Sequence, residues 1–141
     1  MDEMITVAVA GHFNPLHVGH LQMIKVARKM GDRLVVIVAN DIQAAKKRNP
    51  VLIPLTERMN IMRSIKEVDE VVASIDTDSS IRETLKLVSP DILASGCDEN
   101  HEDAIAEAEI CYNLGIKTVW NVGGNKIRSS SEILKQYEEG K

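Results

Sequence analysis

Three histidines and two glycines crowd into one ten-residue stretch, Gly11-His12-Phe13-Asn14-Pro15-Leu16-His17-Val18-Gly19-His20. His17 and His20 are three residues apart, so on a helix they lie on the same side of one turn. Imidazoles at such a place suit an anion whose charge grows during a reaction, because they donate hydrogen bonds and accept protons near neutral pH. Gly19 between them has no side chain, so a ligand can come close to the backbone.

The flanking residues supply the setting. Met4 to Ala10 is an apolar, Val- and Ile-bearing run that reads as a buried strand. Val18 to Met30 has amphipathic spacing and reads as a helix, with Gly31 as its C-terminal cap. The histidines therefore fall on a strand-to-helix turn. A helix start offers unpaired N–H groups and the positive end of the dipole, a ready phosphate site.

Further along, Arg33–Ala39 reads as a second strand and Asn40–Pro54 as a polar loop carrying Lys46-Lys47-Arg48 and held open by Pro50 and Pro54. Thr56 is placed to cap a helix through about Glu67. Val71–Ile75 is a third strand, and Ser80-x-x-Glu83 a capping box opening a helix to Val88. Asp91–Ser95 is a fourth strand, followed by the turn Gly96–Asn100. A helix over about Glu102–Leu114 is closed by Gly115, and Ile116–Trp120 is a fifth strand. Ser129-x-x-Glu132 is a second capping box, opening a last helix through Glu138. Strand and helix alternate throughout, which predicts a Rossmann-like three-layer α/β/α fold on a parallel five-stranded sheet. Loops after its strands then collect at one edge, where such sheets bind ligands.

The pattern Gly11-x-Phe13-Asn14-x-x-His17-x-Gly19-His20 resembles the first signature of the HxGH nucleotidyltransferases, a cytidylyltransferase-like superfamily. Lys126-Ile127-Arg128-Ser129-Ser130-Ser131-Glu132-Ile133 resembles its second signature, so the likeness covers nearly the whole chain. It implies an enzyme that transfers a nucleotidyl group, with His17 and His20 as catalytic residues. It also implies a nucleotide site made by His12, Phe13, His17, Val18, Gly19, His20, Asp98, Asn125, Arg128, Ser129 and Ser130. Lys46, Lys47 and Arg58 stand where relatives meet substrate phosphate. A divalent metal, Mg2+ by preference, is implied as the ion that bridges phosphates, with no dedicated protein metal site.

Each feature has a plainer use. The histidines serve equally as surface residues at a helix start, Lys46–Arg48 as a solvated charge run, Arg58 as a salt-bridge partner and Ser129 as a simple helix cap. His12 departs from the small hydroxyl residue common in relatives, and a zinc site of His12, His17 and His20 is the alternative it raises. Phe13 either packs under the nucleotide or belongs to the core. Asn14 replaces the Asp of several cytidylyltransferases.

Chain length, the basic loop ending in Pro50-x-x-x-Pro54, Val68-Asp69 and the late serine pair most resemble the archaeal-type FAD synthases. The substrates implied are ATP (or CTP) and a phosphate-bearing acceptor, FMN. The alternatives are cytidylyl transfer to glycerol 3-phosphate, adenylyl transfer to a sugar phosphate of the lipopolysaccharide-core heptose type, and a non-catalytic nucleotide sensor.

Bulk composition agrees with a single domain over 1–141. The 141 residues are 44% hydrophobic and 27% charged, and a chain of that size can bury a real core. A net charge of −4 leaves no basic footprint for nucleic acid. Two cysteines are too few for a disulfide scaffold, so a reduced, cytoplasmic setting is expected. No run of about 18 apolar residues and no leader sequence is present, so no membrane is expected. A homodimer is compatible with the resemblance.

Overall fold

The computed structural model describes residues 4–46, 51–97, 99–100, 102–124 and 135–136. Five parallel strands, β1 (Thr6–Gly11), β2 (Arg33–Val38), β3 (Glu70–Ala73), β4 (Ile92–Ala94) and β5 (Lys117–Val119), form one sheet in the order β3-β2-β1-β4-β5. Between them run α1 (Val18–Arg28), α2 (Asp41–Lys46), α3 (Leu55–Arg63), α4 (Arg82–Val88) and α5 (Glu102–Leu114).

Alternation along the central strands divides the core in two. Val7, Val9, Leu34, Val36 and Val38 turn to one face and pack with Met23, Ile24 and Ala27 of α1 and Met62 of α3. Ala8 and Ile37 turn to the other and pack with Leu85 of α4 and Ile110 and Cys111 of α5. A strand buried on both faces must be apolar at every position, which is why β1 and β2 read as continuous apolar runs. The result is the expected three-layer α/β/α arrangement.

Several local expectations are corrected. The Asn40–Pro54 segment is not all loop: Asp41–Lys46 is helical. The Asn40 side chain accepts from Gln43 N at 2.9 Å and the Gln43 side chain accepts from Asn40 N at 3.2 Å, a reciprocal cap. Helix α3 begins at Leu55 rather than after a Thr56 cap; its first N–H donates to the Asp41 carboxylate. Ser80 is not the N-cap of α4, which is Ile81; the Ser80 hydroxyl accepts only a long bond from Arg82 N, 3.4 Å. The Asp76 carboxylate serves that helix end instead, accepting from the Glu83 and Thr84 amides and the Thr84 hydroxyl, while Ser80 binds Asp78. Helix α1 stops at Arg28 with Lys29 as its cap. Gly31 instead permits a close approach: a Cβ there would lie 2.7 Å from the Ile5 carbonyl oxygen.

The loops after β1, β2, β4 and β5 do collect at the carboxyl edge of the sheet. Those after β4 and β5 are tied by Asn121 N to Cys97 O and by Val122 N to Ser95 O. Both rest on α1, since Cβ atoms at Gly96 and Gly123 would meet Met23 at 3.0 and 3.1 Å. Among the described residues no helix is long and apolar enough to cross a membrane.

Candidate active site

The strand order changes direction between β1 and β4, and the histidine stretch follows β1 at that point. Chain connections leave a crevice there. His17 is the N-cap of α1, with extended backbone angles of φ −143° and ψ 176°. Its Nδ1 accepts from Gly19 N at 3.1 Å, and His20 Nδ1 accepts from His17 N at 3.2 Å. This is a capping box made of two imidazoles in place of the usual hydroxyl and carboxylate. The rings stack with centroids 3.7 Å apart and 19° between planes.

The consequence is a fixed tautomer. An Nδ1 that accepts from an amide carries no proton, so in each neutral ring the N–H is at Nε2. Both rings are thus held as donors through the nitrogen away from the helix backbone. The first turn contains no acidic residue, so nothing there repels an anion. The Val18 N–H, left out of the caps, adds a backbone donor, and Gly19 leaves that backbone open.

Phe13 lies under this pair. It is only 1% exposed, and its ring meets the His20 ring edge-on at 4.8 Å. The structure therefore assigns it to the core; a side chain with no surface cannot present itself to a nucleotide. Its φ of 52° is in the left-handed region, a conformation that costs a non-glycine residue on the order of 1–3 kcal/mol unless its surroundings hold it.

Those surroundings are Asn14 and Arg58. Asn14 Oδ1 accepts from Leu52 N at 2.9 Å and Ile53 N at 3.0 Å. Arg58 is 1% exposed. Its Nε donates to Ile53 O, its Nη1 to His12 O and Ala39 O, and its Nη2 to Asp41 Oδ1. The expectation that Arg58 meets substrate phosphate is corrected: all its donor nitrogens are already turned to protein oxygens inside the fold. Lys46, at the end of α2, is exposed and donates to the Thr77 carbonyl across the neighbouring loop. His12 is half-buried beside the pair in sequence, its carbonyl taken by Arg58.

Lys47, Asp98, Asn125, Arg128, Ser129 and Ser130 lie outside the described residues. Among the described residues no group of three or more His, Cys, Asp or Glu is placed to hold a metal ion. In the tautomer set by the amides at Nδ1, each Nε2 of the pair carries its proton and has no lone pair to give a zinc ion. Sequence reasoning missed Asn14 and Arg58 as a structural pair. It had no local signal to find them with, since their partners come from residues 17–46 positions away, apart from Ile53.

Comparison with known proteins accords with this geometry. Residues 8–134 match the family model described as Cytidylyltransferase-like. An FAD synthase of Pyrococcus abyssi is 38% identical over 114 residues, covering 80% of this chain and 76% of the relative. One of Thermoplasma volcanium is 33% identical over 140 residues, 96% of each chain. The crystal structure of a lipopolysaccharide core biosynthesis protein from Thermoplasma volcanium superposes with a TM-score of 0.74 at 30% identity, covering 89% of this chain and 100% of that one. A match over that span, on a five-stranded parallel sheet with paired histidines at its switch point, places the chain in the cytidylyltransferase-like family of nucleotidyltransferases.

Proposed function

We propose that the protein is an FMN adenylyltransferase, making FAD and pyrophosphate from ATP and FMN. The observation that carries the transfer chemistry is the imidazole capping box, which fixes two Nε2–H donors beside a helix start at the switch point. The choice of FMN rests on the relatives named FAD synthase.

An oxygen of the FMN phosphate attacks the α-phosphorus of ATP in line. The bond from that phosphorus to the α,β-bridging oxygen breaks, and pyrophosphate leaves with the electron pair. Such transfers depend on positioning and on donors aimed where charge develops. His17 and His20 supply those donors, and the Val18 and Gly19 backbone receives the polyphosphate. Asp98, Asn125, Arg128, Ser129 and Ser130 complete the nucleotide site in this reading, and Lys46 and Lys47 draw in the acceptor phosphate. His12 lines the turn, and Phe13 acts from beneath.

A divalent ion, Mg2+ by preference, lowers the charge on the phosphates when present. The imidazole and amide donors seen here suit phosphate and not Mg2+, so none of the described residues is assigned to hold the ion, which would supply positive charge to the phosphates. The reading also places the enzyme in a reducing cytoplasm, as a possible pair of identical subunits, with neither nucleic acid nor membrane as partner.

The test is pyrophosphate release from ATP or CTP with FMN, glycerol 3-phosphate or heptose 1-phosphate as acceptor. The last belongs in the panel because the crystallised neighbour is named for lipopolysaccharide core synthesis. ATP with FMN is expected to be the active pair. Release only with CTP and glycerol phosphate, or only with the sugar phosphate, rejects the flavin assignment. Binding without release in any pair makes the protein a sensor.

A further inference from the structure

We propose that Asn14 and Arg58 are positioning residues that set the histidine pair through Phe13. The inference rests on the reading that the pair receives the nucleotide. Two hydrogen-bonded arms close around one residue, Ile53. The Ile53 N–H goes to Asn14 Oδ1 at 3.0 Å and the Ile53 carbonyl to Arg58 Nε at 2.8 Å. Arg58 Nη1 then returns to the His12 carbonyl at 2.8 Å. The signature is thus gripped at His12 and at Asn14, the two neighbours of Phe13.

Phe13 is the residue that needs gripping. Its backbone is left-handed, with φ 52°, which an unrestrained phenylalanine rarely adopts. Held so, its ring stands edge-on beneath His20, and His20 stacks on His17. Release of either arm lets the backbone relax toward ordinary angles and removes the support of both imidazoles. The same brace ties the signature to Ala39 at the end of β2 and to Asp41 at the start of α2. The turn is therefore referenced to the sheet as well as to one loop.

Chemistry distinguishes this role from direct contact with substrate. Only the carbonyl oxygen of Asn14 is used by the Leu52 and Ile53 amides, so an Asp at 14 keeps both bonds and a Leu keeps neither. The experiment uses the full chain with Asn14→Leu, Asn14→Asp and Phe13→Leu. It measures the melting transition, ATP affinity by calorimetry, and kcat and KM for ATP and FMN. Asn14→Leu, assayed below its melting range, is expected to lower kcat by about tenfold or more and to weaken ATP binding, since small misplacements of reacting groups are costly. Asn14→Asp is expected to restore most of both. Phe13→Leu should reproduce the loss with the brace itself intact, and it decides the matter if Asn14→Leu does not fold.

Asn14→Leu with unchanged kcat and ATP affinity overturns the proposal. So does Asn14→Asp as impaired as Asn14→Leu, which would mean that the amide nitrogen of Asn14, and not the two bonds to its oxygen, carries the effect. If the wild type binds ATP yet makes no FAD, the flavin reading fails. The brace is then still judged on ATP affinity alone.

Discussion

His17 has two jobs on two nitrogens, and substitution can separate them. Nδ1 caps α1, and Nε2 faces the place proposed for phosphate. An Asn side chain presents its oxygen where Nδ1 was and has nothing where Nε2 was. His17→Asn should therefore keep its melting temperature within a few degrees, Asn being among the best N-caps. It should lose roughly 10²–10³ in turnover, the usual cost of removing one such donor. His17→Ala should lose turnover and also about 1 kcal/mol of stability with the cap. Wild-type turnover in His17→Asn would end the claim that Nε2 acts on substrate. The two cysteines are separable in a similar way. Burial pushes the Cys111 thiol up, the Glu107 charge pushes the same way, and the Thr118 hydrogen bond only partly opposes them. The folded value is raised, so this contribution is complete below the unfolded thiol's range and is lost as pH rises through the folded one. Iodoacetamide near pH 8 should label the half-buried Cys97 first and Cys111 only on unfolding. Bound ATP should slow the Cys97 reaction, because its loop stands at the carboxyl edge.

The elements meet with tolerances that substitution can measure. Gly31 follows α1, and an added methyl would fall 2.7 Å from the Ile5 carbonyl and 2.8 Å from Val7 Cγ2. Neither neighbour yields easily, since Ile5 O accepts from Asp32 N and Arg33 N and Val7 is wholly buried. Gly31→Ala should destabilise by about 1–3 kcal/mol, the range for overpacking, read as a lower urea midpoint with unchanged slope and near-normal activity of the folded fraction. An unchanged midpoint would mean that the contact relaxes freely. Gly31 also marks where sequence reading stops. Its type suggested a helix cap, whereas its use depends on Ile5 and Val7, at and just before the start of β1. The strands were legible because double burial writes itself as unbroken apolar runs, and α1 and α5 because their periodicity is long. Helix α2 was not, because six residues between polar neighbours carry no period, and the reciprocal cap of Asn40 and Gln43 shows only in the structure. The start of α4 was misread because Asp76, supplied from the loop after β3, accepts from the Glu83 and Thr84 amides and so competes successfully with the local Ser80. Arg58 was identified as a site residue, but its burial was unreadable: its oxygens come from four residues in three separate stretches of the sequence.

At the scale of the molecule, the site joins two halves of the sheet. Strands β2 and β3 lie to one side of β1 and β4 and β5 to the other, and the loops of the second half rest on α1 through Gly96 and Gly123. A nucleotide held at the start of α1 touches the element on which both halves converge, so it should stabilise the whole chain and not one loop. Ligand linkage gives the size: about 2.7 kcal/mol when ATP is at 100 times its dissociation constant. The expected result is a single cooperative melt shifted upward by ATP, with no shift in a His17→Asn, His20→Ala double variant. The metal enters the same measurement with a different signature. In the function proposed above the ion belongs to the ligand and not to the fold. EDTA should leave the melt of the unliganded protein unchanged, reduce the upward shift given by ATP and abolish turnover, with all three restored by excess Mg2+. A lowered melt of the unliganded protein in EDTA would instead reveal a resident structural metal. The ion would then have to be assigned to the protein and not to the phosphates it accompanies.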